Sequence, residues 1–122
     1  VSRTLALAAL VGALAGCTHP IDVAVRAANG ARDVGAVAHA AIQSACVPAY
    51  RAATRETLAS IEARCDAASR AYRLYASSWA LAVVAIQRAQ LGIGSEADAV
   101  ESALLAGRAG ADLAEAVREV AK

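Results

Sequence analysis

Residues 58–89 read LASIEARCDAASRAYRLYASSWALAVVAIQRA. Within them Leu58, Ile61, Cys65, Ala68, Tyr72, Tyr75, Trp79, Ala82, Ile86 and Ala89 follow one another in alternating steps of three and four. Apolar positions at that spacing line one face of a helix. A stripe of this length without a break packs against neighbouring helices, as in a bundle or coiled coil. All the aromatic side chains of the stretch lie on it. Leu58, Ile61, Tyr72, Tyr75, Trp79 and Ile86 are therefore expected in a core rather than around a ligand.

Part of this helix is apolar on every side, WALAVVAI at residues 79–86. The uncharged window between Arg73 and Arg88 holds fourteen residues, where a membrane-spanning helix needs about 20. A helix with apolar residues all round is otherwise a central core helix or an oligomer contact. The reading adopted is the central helix of a small bundle; exposure of Leu81 and Val84 would point to a partner, a second copy of the chain included.

On either side the composition stays helical. Alanine, the strongest helix former, dominates, and β-branched residues are sparse and scattered. The two prolines are Pro20 and Pro48, and glycines punctuate the chain at Gly30, at Gly92 and Gly94, and at Gly107 and Gly110. A first helical region is expected from about Pro20 to Ala45 or slightly beyond. Pro20 suits a first helical position and Asp22 the positive helix end. Val34, Val37, Ala38, Ala41 and Ala45 would form its buried face, Asn29 and Gly30 would kink or split it, and Pro48 would leave Cys46 at a frayed end. A last helix is expected from Ser95, with the Ser95 hydroxyl as cap and Glu96 and Asp98 in the first turn. Ala103, Gly107, Gly110 and Ala114 along it could be a flat strip for close packing or compositional drift. The fold class is all-α, a small antiparallel bundle of three main helices, with one domain over residues 21–122.

The N-terminal stretch has a different character. Arg3 is followed by residues 5–15, made only of Leu, Ala, Val and Gly, the pattern of a signal-peptide n-region and h-region. The stretch closes on Leu14, Ala15, Gly16 and Cys17, which resembles the lipobox of bacterial lipoproteins. The resemblance covers residues 1–17. It implies a signal peptide of residues 1–16, a diacylglycerol on the Cys17 sulfur, cleavage before Cys17, and a short tether of residues 17–20. Thr18, where an Asp would imply retention in the inner membrane, implies the outer membrane, facing the periplasm. Two or three acyl chains anchor a protein far more firmly than one.

Secretion changes the meaning of the other two cysteines, because disulfides persist in an oxidising envelope. With Cys17 lipidated, Cys46 and Cys65 remain. On one straight helix they would stand about 28 Å apart, whereas a disulfide needs Cα atoms within about 7 Å. A disulfide between them therefore requires a helical hairpin turning near residues 53–57, where Thr54 and Thr57 could cap. The competing readings are weaker. A catalytic dithiol usually shows Cys-x-x-Cys spacing, and His19, His39 and the cysteines lack metal-site spacing. No metal or other cofactor is expected.

Without Arg3 the basic and acidic side chains balance at eleven each, so no basic excess exists to hold nucleic acid. Four aromatic residues, Tyr50, Tyr72, Tyr75 and Trp79, offer no base-stacking platform. Ser44, Ser60, Ser69, Ser77, Ser78 and His39 sit in Ala-rich helical contexts without a nucleophile elbow, and no Gly-rich phosphate loop occurs. The expectation is a non-catalytic, lipid-anchored envelope protein that acts through contacts with another envelope protein. A phage-encoded surface lipoprotein is one form of it, although phage spanin lipoproteins are Pro-rich and this chain is not. The alternative is a tether. Lys122 is the only lysine, and an N-terminal lipid, heptad helices and a C-terminal Lys resemble the major murein lipoprotein of Gram-negative bacteria, whose terminal Lys is joined to peptidoglycan.

Overall fold

The computed structural model describes residues 19–122, which form three helices and, among the described residues, no strand. They are α1 (Pro20–Arg51), α2 (Leu58–Gln90) and α3 (Glu96–Val120). Each packs against the other two, and α3 makes the most extensive contacts with both. The expected antiparallel three-helix bundle is the observed architecture.

α1 begins where Pro20, already helical, needs no N–H partner, and Asp22 lies in the first turn. It is longer than expected. It passes Asn29 and Gly30 without interruption and continues through Pro48 to Arg51. Pro48 lies in the final turn, so the ladder bond it deletes is that of the exposed Ser44 carbonyl, and the turn still closes through Ala52 N–H to the Pro48 carbonyl at 3.0 Å. Cys46 is consequently a buried residue within the helix rather than a frayed end.

The connection at residues 52–57 is where the hairpin was expected. Thr54 and Thr57 hold it, though not as helix caps. The Thr54 N–H donates to Thr57 Oγ1 at 2.9 Å, the Thr57 hydroxyl donates to the Thr54 carbonyl at 3.3 Å, and the two hydroxyls lie 3.1 Å apart. The same Thr54 carbonyl accepts the Leu58 N–H at 3.0 Å. α2 thus starts from a turn fastened by side chains.

The register between α1 and α2 is readable level by level. Cys46 faces Cys65 with Cα atoms 6.0 Å apart. His39 lies against Tyr72 with ring centroids at 5.1 Å. Gly35 faces Tyr75, and the Ala28 carbonyl accepts the Trp79 Nε1–H at 3.0 Å. Descending α1 while ascending α2 is the signature of an antiparallel pair.

Buried residues on α1 are Ala24, Ala28, Ala31, Gly35, Ala38, Ile42 and Cys46. On α3 they are Ala99, Ala103, Ala106, Gly110 and Leu113. Both stripes are made mostly of Ala and Gly, so backbones approach closely, and the bulk comes from α2. There Ile61, Cys65, Ala68, Tyr75, Ala82 and Ile86 are buried, with Tyr72 and Trp79 half-buried beside them. The α2 stripe therefore stands as read, with one correction. Leu58 is 39 % exposed, because it opens α2 at a level where α1 has already ended. The α1 face needs a larger correction. Val34 and Val37 are exposed, and the helix instead turns Gly35 inward, because the Tyr75 ring occupies the space a side chain would take.

Tyr75 sits between two glycines. A Cβ at Gly35 would overlap its ring and hydroxyl, while one at Gly110 would come to 3.9 Å from Cδ2. Gly110 therefore belongs to the packed strip of α3. Gly107 does not: it is exposed, with nothing within 4 Å of where its Cβ would be.

Candidate functional site

Cys17, the expected site of lipid attachment, lies outside the described residues. The first helical residue, Pro20, is three positions beyond it in the chain.

Cys46 and Cys65 stand at disulfide distance, both buried in the core beside Ile42 and Ile61. Each sits within about two helical turns of the 52–57 connection, so a bond there would staple the hairpin near its closed end. Burial in an apolar pocket between two helices gives these sulfurs a structural setting rather than the exposed, electropositive one a reactive thiolate needs.

The side chains that carry chemistry in most enzymes are dispersed. Ser44 on α1 and Ser60, Ser69 and Ser77 on α2 are exposed, and Ser78 is half-buried. His39 is exposed, with its ring tilted by 44° against that of Tyr72. Among the described residues no three His, Cys, Asp or Glu side chains come together to hold a metal, and no charged or strongly polar side chain is buried. Burial, and then the neighbouring Tyr72, push the Tyr75 phenol above its ordinary value, with Arg32 pulling the other way. That phenol is a packing element rather than a proton donor open to solvent.

Lys122 follows the end of α3. Its Nζ pairs with Glu119 Oε1 at 2.9 Å on the exposed surface, and this hydrogen bond raises the affinity of the amine for its proton. Arg118 and Glu115 pair similarly at 3.3 Å. Exposed pairs of this kind contribute little to stability.

Among the charged residues of its surface the bundle also exposes large aliphatic side chains. On α2 Leu74, Leu81 and Val84 are exposed, Leu81 by 67 %, between the positive ends Arg70 with Arg73 and Arg88. Leu105 of α3 lies beside Leu74, and the two line a shallow groove with Ser78, Arg108 and Asp112. Round the other side of α3, Leu104 joins Val34, Gly30 and Gly107 in a second groove against α1. The exposure of Leu81 and Val84 is the observation that the sequence reading had tied to a partner. Leu74, Leu104 and Leu105 were missed. Their signal was available, since each is a large aliphatic that falls off the buried stripe of its helix.

No described helix is long and apolar enough to cross a membrane. The chain matches no family model, no curated protein and no solved structure.

Proposed function

We propose that this protein is a lipid-anchored helical module of the bacterial envelope, held to the outer membrane through Cys17 and facing the periplasm. It works by binding another envelope protein and has no catalytic activity of its own. The observation that carries the binding role is the aliphatic strip of Leu74, Leu81 and Val84 with Leu105 alongside, exposed on two helices whose opposite faces are packed. Large aliphatics grouped on a rigid surface and rimmed by Arg and Asp have the make-up of an interaction patch. The anchor is supported by the Leu14–Ala15–Gly16–Cys17 pattern at the end of an apolar run. The dispersal of serines, histidines and carboxylates supports a non-catalytic role.

Site-specific photocrosslinking in intact cells tests the binding role. A photoreactive side chain at Leu81 should give one discrete adduct with an envelope protein, while the same group at Gln43, on the outer face of α1, should give none. Equal labelling from both positions, or none from either, would contradict the reading.

A further inference from the structure

The end of the bundle formed by the start of α1 and the α2–α3 turn carries a feature that the protein-binding strip does not use. Residues 89–95, AQLGIGS, carry no charge. The turn is tightly built. The Gly92 N–H donates to the Ala89 carbonyl at 3.1 Å, and the Ile93 N–H to the Arg88 carbonyl at 3.0 Å, with Gly92 at φ 73°. This is the pairing of a Schellman motif, in which the residue after the glycine usually packs back on the helix. Here the position it would cover is Arg88, and Ile93 stays 63 % exposed. Leu91 is 74 % exposed. Two large aliphatics are thus held outward on a fixed turn.

The antiparallel register places this turn at the same end as Pro20. From the Ala28–Trp79 hydrogen bond, α1 runs eight residues back to its start and α2 runs eleven residues on to its finish. Cys17 is three residues before Pro20, a reach of at most about 10 Å for an extended chain. A lipid on Cys17 therefore holds this end, and no other, within about 10 Å of the membrane.

We propose that the turn at residues 91–94 is a membrane contact, with Leu91 and Ile93 entering the headgroup–acyl boundary so that the bundle stands end-on to the bilayer. The proposal rests on the reading of Cys17 as lipid-bearing. Apolar side chains entering an interface settle about 5–10 Å deep, a depth compatible with that short connection. Because residues 89–95 are uncharged, the contact needs no anionic lipid. The orientation leaves the Leu74–Leu81–Val84 strip along the side of the bundle, open to a partner.

The test uses the acylated full-length mature protein in phosphatidylcholine vesicles whose acyl chains carry bromine, a contact quencher of indole emission. Trp79, pinned inside the bundle, supplies the background. Leu91→Trp should add an emission that is blue-shifted and quenched. Leu58→Trp, at the far end of α2, should add one that is neither. Both substituted residues are exposed, so neither variant threatens the fold. If the protein carries its acyl mass and floats with the vesicles while the Leu91→Trp emission stays unquenched, the contact is wrong and the anchor stands. Quenching at both positions means the bundle lies on its side and also overturns the proposal. A protein that lacks acyl chains and does not float overturns the anchor and this contact together.

Discussion

Gly35 and Tyr75 fill one space: the Tyr75 ring lies where a Cβ at position 35 would be. Gly35→Ala therefore forces the ring aside in a packed core, at a cost of about 1–3 kcal/mol, against a gain of up to about 1 kcal/mol in helix propensity. Gly30 and Gly107 are helical glycines with nothing within 4 Å of a new Cβ. Gly30→Ala and Gly107→Ala should each stabilise by about 1 kcal/mol. Thermal melts followed by circular dichroism should show Tm falling for the first variant and rising for the other two. A rise for Gly35→Ala would mean that Tyr75 does not occupy that space.

The Cys46–Cys65 staple should matter in a core made largely of Ala. Closing a loop of about twenty residues stabilises by about 3 kcal/mol in the chain-entropy model. Replacing both cysteines with Ser should lower the denaturant midpoint of the oxidised protein. Reductant should lower the midpoint of the parent and leave the variant unchanged. A parent insensitive to reductant would show that the pair is not bonded.

Tyr75 sets an alkaline limit. Burial first, then Tyr72, hold its phenol above the ordinary value, with Arg32 opposing. The native state keeps this proton where the unfolded chain releases it. The stability it contributes is complete below about pH 10, the ordinary tyrosine value, and is lost as pH rises through the folded value. Tyr75→Phe should therefore show a shallower decline in Tm above pH 10 than the parent, with the two curves parallel below it. Parallel curves throughout would remove the effect.

The starts of α2 and α3 differ in how they are held. Ser95 Oγ accepts the Asp98 N–H at 3.0 Å, so Ser95→Ala should cost about 1 kcal/mol. At α2 the Thr57 hydroxyl bonds within the preceding turn instead. Thr57→Ala should loosen that turn, and hydrogen exchange should show it as faster exchange of the Thr54 amide, whose acceptor is lost, with the interior of α2 unchanged.

These residues also show what was legible before the structure. The α2 stripe was readable because Ile61, Tyr72, Tyr75, Trp79 and Ile86 contrast in size and polarity with their neighbours. The hairpin at 53–57 followed from requiring Cys46 and Cys65 to meet. The α1 face was misread because Ala lies on every side of that helix. The eye then settles on Val34 and Val37, whereas the packing is decided by Gly35, whose fitness depends on a ring forty residues away. Pro48 was misread because the cost of a helical proline depends on whether the bond it deletes is buried, which local sequence does not state. The outward strip was half legible. Leu81 and Val84 stood out within an apolar run, but its completion by Leu105 is set by how α3 packs on α2.

The central claim is that Cys17 bears lipid while Cys46 and Cys65 bond to each other. The measurement that tests it most directly is the intact mass of the protein extracted from membranes, taken before and after reduction. The account predicts residues 17–122 plus two or three acyl chains, gaining the mass of two hydrogens on reduction. A species without acyl chains, with residues 1–16 still attached and no mass gain on reduction, would contradict both the anchor and the staple.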